Sequence, residues 1–304
     1  MSSKLVPQNP EDVTVIRNVT PNIITCSAPF NRFGTWKLGG RSTIGTFSPA
    51  FPLLHSVLIM NTVRLSNSTL AVFSPTALTP AVRSAVASLN APVTYLIAPD
   101  IEHHIFLSDW YKAFPNAHVV GPEGLPEKRA SSSSVTDIPF TSVFKAPTNG
   151  STDNSQSHTP LASDAAFNAD FKYEYVHSHV NKELVFLYKP DRTMIQADLL
   201  FNLPPTEQYS RVPENERKMS FLDRVGGALL STQGPAVWQK RFLWYMASAK
   251  DRAAFNQSVH RINEWDFQRI IPCHGDVVDV DAKGIFRKVF EWHLVGAKGG
   301  KSTA

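Results

Sequence analysis

The residues whose types and positions could do chemistry are His103 and His104 after one strand-like run, His177 and His179 in another, Asp198 after a third, and His274 after the last. Imidazole nitrogen and carboxylate oxygen are the usual protein donors to zinc and to non-haem iron. An ion held by three histidines and one carboxylate, with a position left open for water, lowers the pKa of that water toward roughly 7 and drives hydrolysis. Taken singly, each residue also has an ordinary structural use. His104 at a strand-to-helix turn can bond a backbone carbonyl, His177 and His179 share one face of a strand, and Asp198 can cap the turn that follows it. His274 stands out because Gly275 frees the backbone to turn and no apolar face nearby needs the ring. Cys273 reads as a small core residue. His55, His118, His158, His260 and His293 show no positional pattern and read as structural.

Other chemistries lack their residues. The 304-residue chain contains no G-x-S-x-G elbow, no phosphate-cradling G-x-x-x-x-G-K-[ST], no G-x-G-x-x-G and no H-E-x-x-H. Two cysteines, Cys26 and Cys273, exclude a disulfide scaffold and an all-cysteine cluster, and fit a reducing compartment. Lys and Arg number 30 against 26 Asp and Glu, and the basic residues are scattered, so no nucleic-acid partner is expected. The longest apolar run, residues 51–60, is about half of what a transmembrane helix needs, and MSSKLVPQNPEDVTV has no apolar leader segment. A cytoplasmic protein with no membrane partner is the expectation.

The elements that must position these side chains alternate in type. Residues 13–29 read as two strands around a turn at Pro21-Asn22, and VRLSNSTLAVFSP at 63–75 reads as a hairpin. Thr79-Pro80 supplies a cap and a first-turn proline for a helix reaching about Asn90, followed by the strand VTYLIA. A helix over 103–114, strands over 173–188 and 193–197, helices between 220 and 264, a strand at 269–272 and a closing helix over 283–294 complete the order. Short links between strands and helices predict an α/β layered fold, whose strand ends meet along one rim. A polar lead at 1–12, a flexible insertion at 130–170 and a tail at 297–304 flank or interrupt one domain over 13–296.

This order of elements, with APDIEHHIFLSDW, GPEGLPEK, HVNKELVFLYKPDRTMIQADLLF and RIIPCHGD, resembles the metallo-β-lactamase-like hydrolases. The resemblance implies an αββα sandwich of two mixed sheets with helices on both outer faces. In that superfamily the first metal motif is H-x-H-x-D-H. Laid on residues 99–104, its two leading histidines become Pro99 and Ile101, its Asp becomes His103, and His104 keeps the last position. The middle histidine matches His179, the bridging Asp matches Asp198, and the final histidine matches His274. The implied centre is therefore a single zinc or iron ion held by His103, His104, Asp198 and His274, with His179 beside the lost first position.

On this reading His104 and Asp198 act directly in catalysis, and Asp198 also orients an attacking water. The substrate is an unidentified small molecule bearing an ester, thioester or phosphoester, and Trp238, Trp244 and Tyr245 either line its way in or pack the outer helices. The alternative is a pseudoenzyme of the same fold that serves as a binding or scaffold module. One stretch departs from the family pattern: the apolar residues 44–62 intervene before the VRL strand, as a lineage-specific insertion or a translated intron.

Overall fold

A computed structural model describes residues 9–32, 36–47, 69–133, 135–147, 161, 164–218 and 220–296. The two strands expected over 13–29 are β1 (Val15–Thr20) and β2 (Ile23–Ala28), paired antiparallel around the Pro21-Asn22 turn. A small ribbon, β3 (Asn31–Arg32) and β4 (Trp36–Lys37), leads into β5 (Gly40–Phe47). Then come β6 (Thr69–Phe73), β7 (Val93–Ile97), β8 (His118–Pro122) and β9 (Ser142–Phe144). Together they make a seven-stranded sheet in the order β1-β2-β5-β6-β7-β8-β9. It is antiparallel up to the β5/β6 pair and parallel from β6 onward.

The second sheet has four strands, β10 (Phe171–Val176), β11 (Glu183–Tyr188), β12 (Thr193–Ile195) and β13 (Arg269–Ile271), ordered as numbered. Its last pair, β12 with β13, is parallel. Alternation along the strands sorts side chains between two layers, as the two-residue period requires. Phe73, Tyr95, Ile97, Val120, Leu184, Phe186 and Tyr188 fill the space between the sheets. Their neighbours Val72, Leu96 and Val119 meet the helices on one outer face, and Val185 and Leu187 meet those on the other. The outcome is the expected αββα sandwich.

The helix Pro80–Ser88 begins where the sequence placed it, with Thr79 Oγ1 accepting the Val82 N–H at 3.3 Å. Other details differ. The helix expected over 103–114 covers Leu107–Ala113, because Asp100 holds residues 101–103 in a turn. His177 and His179 lie in the turn after β10 and so do not share a strand face. The closing helix is two, Ala282–Val289 and Glu291–Val295, joined at Phe290.

Of the polar 130–170 stretch, the described residues supply β9 and the helix Ala165–Asp170, whose Phe167 is buried between the sheets. Residues 148–160 lie outside the described residues, as do 1–8, 297–304 and the first half of the expected 63–75 hairpin. Of the apolar run at 44–62, residues 44–47 belong to β5 and the rest lies outside the described residues.

Candidate metal centre

Three loops at the ends of β7, β12 and β13 meet on one rim of the sandwich. In the first, the buried Asp100 accepts the backbone N–H of Glu102 at 2.7 Å and of His103 at 2.8 Å through Oδ1. Both of its oxygens also lie 2.9 Å from His103 Nδ1. An Asp two and three residues before the amides it caps is a standard turn-forming arrangement. Here it has a second effect: it fixes the ring so that Nε2 of His103 faces inward.

The third loop is held as firmly. Arg41, buried on β5, donates from Nη1 to the carbonyls of Pro272 at 2.7 Å and Gly275 at 2.6 Å, and from Nε to Ser27 Oγ at 3.0 Å. Gly275 has φ +91°, and a Cβ there would meet the Asn202 carbonyl oxygen at 2.1 Å, so the turn admits only glycine. His274 Nδ1 donates to the Gly39 carbonyl at 2.6 Å, and the ring stacks on Phe201 with an interplanar angle of 5°. Its Nε2 thereby faces the Nε2 of His103 at 3.1 Å.

Asp198 enters from the middle loop. The buried Glu183 accepts the N–H of Ala197 at 2.8 Å and of Asp198 at 2.9 Å, which fixes the loop backbone. Asn181 Nδ2 donates to Asp198 Oδ2 at 2.6 Å. The other oxygen, Oδ1, lies 3.2 Å from His274 Nε2 and 4.0 Å from His103 Nε2, and it is buried without a hydrogen-bond partner among the described residues.

The electrostatics reflect this convergence. Burial opposes charge on both rings, yet Asp100, Cys273 and Asp198 raise the pKa of His103 well above the usual range, and Cys273 and Asp198 raise that of His274. Burial likewise opposes ionisation of Asp198, but His103 and His274 hold its carboxyl below the ordinary range. The Cys273 thiol, pushed up by burial, is drawn down to about 7 by His103 and His274. Glu183 is raised well above the usual carboxylate range by burial and by Asp100 and Asp198.

Two of the expected ligands do not join this cluster. Consecutive residues in a turn diverge, and His104 points the other way: its Nδ1 lies 3.1 Å from Arg129 Nη1, which also donates to the His104 carbonyl at 2.9 Å. A guanidinium has no lone pair, so the ring nitrogen is the acceptor. Burial and then Arg129 lower the His104 pKa to about 4. His179 Nδ1 accepts the Asn181 N–H at 3.2 Å, which puts its hydrogen on Nε2. That Nε2 is buried and has no partner among the described residues. Pro99 and Ile101, at the lost ligand positions, are apolar: Pro99 is buried and Ile101 packs against the helix-side core.

Asp100, which the sequence did not single out, and Cys273, expected only as a small core residue, both stand at the site. Asp100 had a local signal, an Asp after strand and proline with His three residues on. Cys273 had only its place next to His274. The donor atoms of His103, Cys273 and His274 lie within 4.8 Å of one another, as do those of Asp100, His103 and Asp198. A cavity of about 100 Å³ opens on His103, Cys273 and His274, walled by Phe30, Pro75, Ile105 and Phe106 with Arg32 and Glu102 beside them. At about 30 Å³ per water this admits a reactive group of a few heavy atoms. Trp238, Trp244 and Tyr245 do not line it. Trp238 and Tyr245 are half exposed, and Trp244 lies against Trp292 and His293 on the outer helical layer.

Residues 53–218, more than half of the chain, match the family model described as a domain of unknown function (DUF4336). The chain belongs to that family. No curated protein matches this DUF4336 member. Among solved structures it is similar to a metallo-β-lactamase from Hirschia baltica, with a TM-score of 0.51 and 10% identity over 92% of this chain and 97% of that one. The DIM-1 metallo-β-lactamase gives 0.51 and 9%, covering 93% and 98%. A mutant flavo di-iron protein from Thermotoga maritima gives 0.52 and 9%, over 92% of this chain and 62% of that one, so the chain spans less than two thirds of its length. At such identities the likeness is one of fold: the DUF4336 chain has the metallo-β-lactamase fold. No helix among its described residues is long and apolar enough to cross a membrane.

Proposed function

We propose that this DUF4336 member is a metal-dependent hydrolase-like protein with a mononuclear centre at His103, His274 and Asp198, taking zinc or iron. The observation that carries the proposal is the pair of facing imidazoles. Gly39 O can only accept, so His274 carries its hydrogen on Nδ1. The Asp100 carboxylate imposes the same tautomer on His103. Two Nε2 lone pairs then confront each other at 3.1 Å, with a free carboxylate oxygen 3.2 Å from one of them. Such an arrangement calls for a cation between the groups.

The donor set suits a metal. With zinc–nitrogen bonds of about 2.0–2.1 Å, the edge of a tetrahedral site is about 3.3 Å, close to both short separations. The outer ring nitrogens bond a carboxylate and a backbone carbonyl, the partners that orient metal-bound histidines. An ion held there supplies Lewis acidity to a substrate carbonyl or phosphoryl oxygen and acidifies water.

The protein's own groups have separable tasks. Asn181 occupies Oδ2 of Asp198 and leaves Oδ1 turned toward the two imidazoles, as the carboxylate oxygen that would hold the ion and set where its water lies. Asp100 and Gly39 aim the two rings, and Arg41 keeps the His274 loop in place. The apolar cavity walls exclude bulk water and favour a small ester, thioester or phosphoester group.

The alternative is a pseudoenzyme in which a proton, shared between the two rings, supplies the positive charge. Elemental mass spectrometry on protein purified without chelator or affinity metal separates the two. About one zinc or iron per chain, lost in His274→Ala, is the expected result. A wild-type protein without stoichiometric metal, and none taken up on addition, would overturn the metal reading in favour of the protonated pair.

A further inference from the structure

The chain has two buried cysteines, and they sit in different surroundings. Cys26, on β2, belongs to the apolar layer beneath the outer helices, and burial pushes its thiol up to about 12. This is the behaviour of a structural cysteine. Cys273 belongs to none of the apolar clusters. Its Sγ lies 3.4 Å from the Arg41 carbonyl and within hydrogen-bonding reach of the His103 side chain, in the wall of the cavity beside His103 and His274.

We propose that Cys273, as a thiolate, is a direct ligand of the ion held by His103 and His274, so that the centre contains sulfur and selects soft or borderline divalent ions. The proposal rests on the metal reading above and specifies its donor set. Three observations support it. The sulfur and the two imidazole donor nitrogens lie within 4.8 Å of one another. The backbone of Cys273 is pinned on both sides, since its carbonyl accepts Gln208 Nε2 at 2.7 Å while Arg41 holds the carbonyls of Pro272 and Gly275. The sulfur thus stands on a fixed base beside the two imidazoles. Finally, the unpartnered Oδ1 of the buried Asp198, set against the same imidazole pair, marks this place independently as one that needs a cation.

A thiolate changes which ion the site prefers. Hard oxygen ligands suit magnesium, calcium and manganese, whereas sulfur and imidazole together favour zinc and other borderline or soft ions. Binding displaces the thiol proton to solvent, so uptake of metal by the free protein releases acid.

Cobalt(II) added to the full-length, metal-depleted protein provides the test. The expected result is one equivalent bound, with visible ligand-field bands and an intense sulfur-to-cobalt charge-transfer band in the near ultraviolet. In Cys273→Ser the ultraviolet band disappears and the visible bands persist. Affinity there falls by at least the roughly 10–100-fold that losing even an outer-sphere partner costs. Visible bands without the ultraviolet band in the wild type would overturn the role of Cys273 and leave the metal reading standing. Failure of cobalt and zinc to bind at all would overturn both.

Alkylation by iodoacetamide, read by peptide mass mapping, gives an answer that does not depend on colour. One equivalent of zinc should protect Cys273, with Cys26 as the internal control, and equal labelling with and without zinc counts against the ligand. Cys273→Ala serves as a second variant, and melting curves of both variants establish that they fold.

Discussion

His103 and His274 present their Nε2 atoms to each other across 3.1 Å, although 171 positions separate them in the chain, and each ring's other nitrogen already donates to a fixed acceptor. The tautomers are therefore set by Asp100 and Gly39 and not by the histidines. The proposed centre depends on groups that would never touch an ion held there.

Asp100 is the more exposed of these dependencies to mutation. Asp100→Asn keeps the shape but removes the charge that orients His103, and zinc affinity measured against a chromophoric competitor should fall by roughly 10–100-fold. Asp100→Ala also strands the amides of Glu102 and His103, at a cost of about 1–3 kcal/mol in urea unfolding. Unchanged zinc affinity in both variants would mean that His103 is oriented by something else.

His104 should behave oppositely to His274. Its ring serves Arg129, so His104→Ala is expected to keep the wild-type metal content while losing about 1–3 kcal/mol of stability. His274→Ala should lose the metal. Side-by-side elemental analysis and thermal melts decide the matter, and loss of metal from both would restore His104 to the ligand set.

Two glycine replacements offer a control on the loop geometry. Gly275→Ala forces a Cβ into the Asn202 carbonyl at a left-handed φ and should destabilise the fold by about 1–3 kcal/mol. Gly227, inside the helix Phe221–Leu229, has nothing within 4 Å of the same added atom among the described residues. Gly227→Ala should be neutral or stabilising by up to about 1 kcal/mol through helix propensity. Similar melting curves for the two variants would contradict the packing described around His274.

The pH dependence of stability has a contribution from a histidine outside the centre. His293 is buried against Phe255 and Trp244, and burial together with Arg252 lowers its pKa from the ordinary 6.5 to about 3. Between these values the unfolded chain binds the proton and the folded chain does not. Stability from this group is therefore full above pH 6.5 and is lost progressively as the pH falls toward 3. Between pH 7 and pH 5 the loss is about 2 kcal/mol. Gln in place of His293 cannot charge and can still donate to Asn256 Oδ1, the present partner at 2.7 Å. The variant should show a flatter acid limb in urea titrations at the two pH values; an unchanged slope would place the acid sensitivity elsewhere.

The layers and the rim were legible in the order of residues. Alternation in β6, β7 and β11 specifies which side chains fill the space between the sheets, and Thr79-Pro80 specifies where a helix starts, because both are local consequences of backbone period and capping. His274 before Gly275 was legible for the same reason: a left-handed turn at that point demands glycine. The partition of the neighbouring residues His103 and His104 was not legible. In the turn set by Asp100 one ring goes to the centre and the other to Arg129, 25 positions downstream. Nor could the chain order reveal that Gly39 and Asp198 would lie on either side of His274, or that Cys273, buried as expected, would also line the cavity. Those are distances between segments over 70 residues apart, and only the docking of the two sheets fixes them.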